Sequence, residues 1–117
     1  MDAFTEIDNQ VFNALMAEVG ADFMLELIET YCDDVHQQLH TLQTALDQGD
    51  ALSFTRAAHS LKSTSLSLGA LSFGNLAREL EMMGREGRLA DASEIYQQMQ
   101  AVCEPLLRML KDLCHDQ

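Results

Sequence analysis

Apolar residues recur along the chain at steps of three and four, the spacing that places side chains on one face of an α-helix. The longest such run extends from about residue 21 to residue 48. Gly49 follows it and is a plausible stop, because glycine readily adopts the left-handed conformation that ends many helices. The pattern therefore predicts one long amphipathic helix. Its apolar stripe consists of Met24, Ile28, Tyr31, Val35, Leu39, Leu42 and Leu46.

Shorter helices are predicted on either side of this long one. The first covers about 8–18, can be capped by Asp8, and ends before Gly20. The third begins after Asp50, a good N-cap residue, and ends before Gly69. The apolar positions of the first are Val11, Phe12, Leu15 and Met16, and the inner stripe of the third is Phe54, Ala58, Leu61, Ser65 and Leu68.

Two more helices are predicted in the second half of the chain. The fourth covers about 72–86, with Ser72 as its cap, and the stretch from Gly84 to Gly87 breaks it. The fifth begins near Asp91, where Asp91 and Glu94 have the spacing of a capping box. Pro105 lies inside the fifth helix and should kink it, because its ring clashes with the preceding turn. The inward positions are Phe73, Leu76, Leu80 and Met83 in the fourth, and Ile95, Met99, Val102, Leu106, Met109, Leu110 and Leu113 in the fifth.

The predicted links are two to five residues long, so neighbouring helices should run antiparallel. The expected fold is all-α: an antiparallel up-down-up-down four-helix bundle with a short N-terminal capping helix. The single Pro and the absence of Trp fit a helical composition. With 117 residues and no internal repeat, residues 1–117 are expected to form a single helical domain.

The charge balance limits the kinds of partner that the chain can bind. The formal net charge is -12, from 19 acidic and 7 basic residues. Such a surface repels phosphate backbones and anionic lipids, so neither nucleic acid nor a membrane is an expected partner. No apolar run approaches a membrane span, no secretory signal is visible, and the three cysteines lack CxxC spacing. These features predict a cytoplasmic protein with reduced thiols.

Five of the seven basic residues lie between 56 and 88, and residues 1–50 contain no Lys or Arg. This segment is either an ordinary part of a solvated acidic surface or a place that binds an anion. The predicted third helix favours the second interpretation, because His59 points outward and shares its face with Lys62 and Ser63. Thr55 and Arg56 lie one turn earlier.

The chemistry of this face suits phosphoryl transfer. A neutral imidazole is a competent nucleophile near pH 7, and an ammonium can neutralise a phosphoryl oxygen attached to it. A small residue such as Ser63 leaves room for a partner to approach the ring. A single exposed histidine is nevertheless usually an ordinary surface residue. The chain shows no phosphate-binding loop and no kinase motif, so it has no evident ATP site of its own.

The run from His59 to Ala70 resembles the motif of histidine-containing phosphotransfer (HPt) domains, H-x-[LF]-K-G-[SA]-[SA]-x-x-[ILM]-G-A. In that family the motif lies in the third helix of a four-helix bundle. The segment from Leu76 to Gly87 is similar to the family's fourth helix. Two positions depart from the motif: Thr64 replaces a usual Ser or Ala, and Ser63 replaces the Gly that follows the Lys. The matching positions are His59, Leu61, Lys62, Ser65, Leu68, Gly69 and Ala70.

This resemblance implies a carrier in a two-component phosphorelay, without a kinase or phosphatase centre of its own. A receiver domain presents an aspartyl phosphate and its Mg²⁺, His59 accepts the phosphoryl group, Lys62 stabilises it, and a second receiver removes it. The implied partners are response-regulator receiver domains and a sensor histidine kinase, which can be of the hybrid type. The chain itself is expected to hold no cofactor or metal and to be a monomer, because its histidine face must stay free.

Further residues are candidates for contact with the partner. Arg78 and Glu81 lie one turn apart on the predicted fourth helix and could orient the ring or the phosphate. Ser63 would border the contact surface, and we expect access to the imidazole to survive the change from Gly to Ser. The full set of expected docking residues is Ser63, Arg56, Thr55, Leu66, Arg78 and Glu81.

Two alternatives remain open from the sequence. The first is a docking adaptor that does not exchange phosphate; Phe23 and Leu27, beside the stripe of the second helix, could serve it, although they could instead pack under the first helix. The second is a small metal-binding bundle using His36 and His40, which are four residues apart on one helical face together with Asp33 and Glu29. An enzyme with its own active site is not indicated, since no catalytic triad can be assembled.

Overall fold

The computed structural model describes residues 4–115, which form five α-helices and one 3-10 turn. The only extended pairing in this part of the chain is an isolated bridge between Ile7 and Ala70. The chain is therefore all-helical, as predicted. The helices are α1 (Asn9–Val19), α2 (Ala21–Gln48), α3 (Ala51–Leu68), α4 (Leu71–Arg85) and α5 (Ser93–His115), with the 3-10 turn at Leu89–Asp91 between α4 and α5.

The four long helices surround one apolar core. Helix α2 contacts α3 and α5, and α4 contacts the same two helices, so the contacts close into a ring. The 28 residues of α2 should extend about 42 Å, which matches the 43 Å long dimension of the molecule. Helix α1 packs against α2 and α3. The largest fully buried side chains are Phe12, Phe54, Phe73, Met24, Ile28, Leu42, Leu61, Leu80, Met99, Leu106, Leu110 and Val35.

The ends of the first three helices follow the local signals in the sequence. The Asp8 carboxylate accepts hydrogen bonds from two backbone N–H groups in the first turn of α1. The Asp50 carboxylate does the same for Ser53 at the start of α3. Gly49 and Gly69, with φ of 67° and 89°, end α2 and α3 in the left-handed region that glycine tolerates. These predicted caps and stops are confirmed.

The predicted caps of α4 and α5 are wrong, although both helices begin within two residues of the predicted positions. Helix α4 begins at Leu71, and the predicted cap Ser72 lies inside it. The backbone N–H of Leu71 donates to the carbonyl of Glu6 (3.1 Å), so a distant segment of the chain satisfies this helix end. Helix α5 begins at Ser93, because Asp91 belongs to the 3-10 turn and accepts from Arg88 Nε (3.1 Å) rather than from the helix.

Several apolar positions also differ from the predicted stripes. Met83 is only half-buried, and Met109 is 41% exposed. Phe23 is 50% exposed, so it does not pack under α1. Pro105 lies within α5, which continues on both sides of it, and the predicted kink stays a prediction.

The cysteines Cys32, Cys103 and Cys114 are all buried free thiols, in agreement with the predicted reduced state. Between residues 4 and 115, no helix combines the length and the apolar character that crossing a membrane would need.

Candidate functional site

Helices α3 and α4 pack tightly against each other at two glycines of α4. A Cβ atom at Gly84 would lie 2.3 Å from Thr55 Oγ1 and 3.3 Å from the Thr55 Cα, so no larger residue fits without moving α3. A Cβ atom at Gly74 would meet the end of the Leu66 side chain at 2.6 Å. This close packing brings side chains of α4 within hydrogen-bonding distance of the His59 face of α3.

A single buried carboxylate, that of Glu81, joins three side chains at this point. Lys62 Nζ lies 2.7 Å from Glu81 Oε1. His59 Nδ1 and Arg85 Nη2 lie 2.8 Å and 2.7 Å from Glu81 Oε2. The Glu81 side chain is 4% exposed, whereas the His59 ring is 55% exposed. Glu81 therefore connects the surface of α3 to the interior of the α3–α4 contact.

The pKa of Glu81 reflects these contacts. Burial alone would raise it, but hydrogen bonds from Lys62, Arg85 and His59 outweigh burial and lower the pKa from 4.5 to about 2. The carboxylate is consequently ionised throughout the neutral range. A carboxylate accepts hydrogen bonds and donates none, so it is His59 Nδ1 that donates. In the neutral ring the lone pair is then on Nε2, which is the nitrogen available as a nucleophile.

The local charge is opposite to that of the whole chain. Beside the His59 ring lie one carboxylate and two cations, Lys62 and Arg85, and these three groups together carry a charge of +1 in a chain of -12. Lys62 is one-quarter exposed and Arg85 two-thirds exposed. Both cations are therefore accessible to solvent next to the ring.

The other predicted site residues lie at different depths. Ser63 and Arg56 are exposed on α3, on the side of His59. Thr55 is half-buried against Gly84, and its hydroxyl donates to the Ala51 carbonyl. Leu66 is half-buried against α4. Arg78 is exposed and forms no ion pair with any residue from 4 to 115, Glu81 included.

Arg85 was not among the candidates from the sequence. Its position four residues after Glu81 is the spacing of an ion pair on one helical face, and this was the available signal. Arg78, three residues before Glu81, has an equally good spacing. The choice between the two arginines depends on how α4 is rotated against α3.

A groove between α1, α2 and α3 reaches the same surface. Its volume is about 540 Å³, and Ser63 lies on its rim. Leu15, Leu27 and Leu68 contribute apolar surface. Asp34 also lines it, and its buried Oδ2 has no hydrogen-bond partner among the described residues. The groove beside Ser63 thus offers apolar surface for contact with a partner.

The sequence is similar to a known family of proteins over most of its length. The family model described as the Hpt domain matches residues 26–115. The structure is similar to the crystal structure of histidine-containing phosphotransfer protein B (HptB) from Pseudomonas aeruginosa PAO1, with a TM-score of 0.87, 29% sequence identity and 96% of each chain covered. A comparison with curated proteins gives no significant match.

The fold and the comparisons define a helical phosphotransfer protein. The chain belongs to the Hpt domain family, and it is a histidine phosphotransfer protein of the kind found in two-component phosphorelays. Proteins of this family carry phosphoryl groups between receiver domains and kinases.

The low pKa of Glu81 predicts a specific loss of stability in acid. Because the pKa of Glu81 is about 2 in the folded chain and near 4.5 otherwise, its stabilisation is present above about pH 4.5 and is lost as the pH falls towards 2. The full shift corresponds to about 3 kcal/mol, and we expect about 2 kcal/mol because the partners are partly exposed. Urea unfolding of the wild type and of Glu81→Gln at pH 7 and pH 3 measures this contribution.

The matched control is Glu79→Gln, an exposed residue of the same helix. It should keep the wild-type dependence of the unfolding free energy on pH, whereas Glu81→Gln should lose about 2 kcal/mol of that dependence. If both variants follow the wild type, the interpretation of the Glu81 contacts is wrong.

Proposed function

We propose that His59 Nε2 accepts a phosphoryl group from the aspartyl phosphate of a receiver domain and passes it to a second receiver. The observation that carries this proposal is the hydrogen bond between His59 Nδ1 and the buried Glu81 carboxylate, at 2.8 Å. It leaves Nε2 with its lone pair on a half-exposed ring. In each transfer one P–O bond to the receiver's aspartate breaks and one P–N bond forms, or the reverse.

The chain's residues divide the work as follows. Glu81 fixes the ring and holds Nδ1 as the donor. Lys62 and Arg85 stabilise the phosphoryl group after transfer, since both are already within 3 Å of the Glu81 carboxylate beside the ring. Phosphoryl transfer depends mainly on positioning and charge neutralisation, so no further catalytic group is required from this side. Mg²⁺ bound by the receiver supplies the remaining neutralisation, and this chain supplies no cofactor.

The partner docks over the exposed part of α3. Ser63 and Arg56 flank His59 there, and the groove beside Ser63 adds apolar surface. Thr55 and Leu66 contribute less, because both are half-buried against α4. Arg78 lies on the exposed side of α4 and is available to an acidic partner residue. The partners in this proposal are response-regulator receiver domains and a sensor histidine kinase in the cytoplasm, and the chain acts as a monomer.

We also propose that the four long helices run up-down-up-down and that residues 1–117 form one such domain. The links at 49–50 and 69–70 are two residues long, and such short links favour an antiparallel arrangement of the helices that they join. The ring of contacts among α2, α3, α4 and α5 supports it too. The segment before α1 pairs with the α3–α4 turn, where Asp8 N–H donates to the Gly69 carbonyl at 2.7 Å.

The relay itself is tested with two receivers. A purified receiver is first phosphorylated on its aspartate and mixed with this chain, and a second receiver of different mass is then added. Intact-mass spectrometry at neutral pH should show the phosphoryl group on the chain, in acid-labile form, and then on the second receiver. If no receiver from a broad panel transfers its group to the chain, the docking-adaptor alternative takes the place of this proposal.

Lys62→Gln should slow phosphoryl acceptance by about ten- to a hundredfold, because the variant lacks one of the two cations beside the ring. Lys62→Arg keeps the charge and should recover part of the rate. Rapid quench-flow measurements with one phosphorylated receiver as the donor give these rates. Lys111→Gln, an exposed lysine of α5, is the control and should react at the wild-type rate. Equal rates for Lys62→Gln and Lys111→Gln would remove Lys62 from the transfer.

A further inference from the structure

A second cluster of chemically reactive side chains lies between α2 and α5, outside the His59 site. His36 Nε2 is 2.6 Å from Glu104 Oε1. These two atoms and Cys103 Sγ all lie within 4.8 Å of one another. Among residues 4–115, this is the one group of three His, Cys, Asp or Glu side chains that lie close enough together to share a metal ion.

The spacing of these atoms fits a small metal ion. Ligand bonds of about 2.0–2.3 Å in a tetrahedral site place the ligand atoms about 3.3–3.8 Å apart. The three atoms lie within 4.8 Å of one another, so small side-chain adjustments bring them to that separation. The 2.6 Å contact between His36 and Glu104 has to open by about 1 Å. His36 and Glu104 are about half and two-thirds exposed, so their side chains are free to make this adjustment.

A fourth ligand position is available at the same place. His36, Cys103 and Glu104 line an open cavity of about 380 Å³, and His40 lines it as well, one turn after His36 on α2. His40 or a water molecule can therefore complete a four-coordinate site. The sequence indicated only His36 and His40 for a metal, with Glu29 and Asp33 nearby. The structure instead brings His36 to two residues of α5.

We propose that His36, Cys103 and Glu104, completed by His40 or water, bind one divalent transition-metal ion of the zinc type and join α2 to α5. A donor set of imidazole, thiolate and carboxylate selects such ions over Mg²⁺ and Ca²⁺, which prefer oxygen ligands. On binding, the Cys103 thiol releases its proton to solvent and the sulfur bonds to the metal. The site lies apart from His59 and does not depend on phosphoryl transfer.

A metal ion has to displace the proton of the Cys103 thiol in order to bind. Burial, and next the nearby charge of Glu104, raise the pKa of the Cys103 thiol to about 11. The thiol therefore keeps its proton at neutral pH until a cation replaces it. A bound metal then also favours the folded chain, because the three ligands come together only when α2 and α5 are packed.

Cobalt(II) is the probe that tests this site, since a cobalt–thiolate bond gives a charge-transfer absorption band that imidazole and carboxylate alone do not give. The full-length chain titrated with Co²⁺ should show this band with one-to-one stoichiometry, and Zn²⁺ should displace it while Mg²⁺ does not. Zn²⁺ should also raise the melting temperature of the wild type. Absence of the band in the reduced wild-type chain would overturn the proposal.

Matched variants locate the ligands. Cys103→Ser should lose the band, whereas Cys114→Ser, another buried cysteine of α5, should keep it. His36→Gln should weaken Co²⁺ binding at least tenfold, whereas His115→Gln, at the exposed end of α5, should not. Because His36 is exposed, its variant tests the site even if Cys103→Ser fails to fold. A band retained in His36→Gln at wild-type affinity would contradict the proposal.

The two sites can fail independently. His59→Gln should bind Co²⁺ like the wild type, and His36→Gln should accept a phosphoryl group like the wild type. A chain that binds cobalt but accepts no phosphate would leave the metal site in place and remove the proposed relay function, and the converse result would remove only the metal site.

Discussion

The His59→Gln variant is expected to accept no phosphoryl group from any receiver that phosphorylates the wild type. The glutamine amide keeps a donor for the Glu81 carboxylate, so the packing of α3 against α4 should be preserved. An amide nitrogen has no lone pair available for attack on phosphorus, so the nucleophile is lost while the hydrogen bond is retained. Incubation with a phosphorylated receiver, followed by intact-mass spectrometry, should show only background label.

The matched controls are two of the other exposed histidines. His40→Gln and His115→Gln change the same side chain on α2 and α5 and should be labelled at the wild-type rate. Circular dichroism and the melting temperature of His59→Gln should match those of the wild type. If the folded His59→Gln variant accepts phosphate at the wild-type rate, His59 is not the phosphoacceptor.

Gly84→Val is expected to destabilise the fold by about 3 kcal/mol, the upper end of the usual cost of overpacking a core. The first added atom would lie 2.3 Å from Thr55 Oγ1 and 3.1 Å from a ring carbon of the buried Phe54. The Thr55 hydroxyl is itself engaged with the Ala51 carbonyl at 2.7 Å, so it cannot turn away without losing that bond. Helices α3 and α4 must therefore separate. Urea unfolding at pH 7 measures the change.

Gly74→Val is the control, because it makes the same substitution inside the same helix and therefore has a similar helix propensity. At Gly74 the nearest atoms belong to the end of the half-buried Leu66 side chain, which can adopt another rotamer. We expect this variant to lose at least about 1 kcal/mol less than Gly84→Val. Gly84→Val should also slow phosphoryl acceptance, since Gly84 lies next to Arg85 and one turn from Glu81. Equal losses of stability in the two variants would show that Gly84 does not set the α3–α4 distance.

The parts of the fold that sequence reasoning located correctly are those with local causes. The bounds of α2 and α3 follow from an apolar stripe, from Asp50 and from Gly49 and Gly69, all of which act within one turn. The cap of α4 could not be identified in this way, because the Glu6 carbonyl, more than sixty residues away, accepts from Leu71. Asp91 does not cap α5, because its carboxylate accepts a hydrogen bond from Arg88 instead.

The same distinction applies to the site. Helical spacing alone predicted that His59 and Lys62 share an outward face, and the family motif supplied their expected roles. The pattern indicated Glu81 only together with Arg78, and it missed Arg85. Which arginine faces α3 depends on the rotation of α4, and this rotation is fixed by the tight contact at Gly84. The His36–Glu104 contact likewise depends on the register between α2 and α5.

The most direct test of the central claim is to identify the phosphorylated atom. The chain is labelled with ¹⁵N in its histidines, phosphorylated by a receiver, and examined by NMR for coupling between ³¹P and the ring nitrogens. We expect coupling to Nε2 of His59 alone, because Nδ1 donates to Glu81. Phosphate on Nδ1 of His59, or on any other residue, would contradict it.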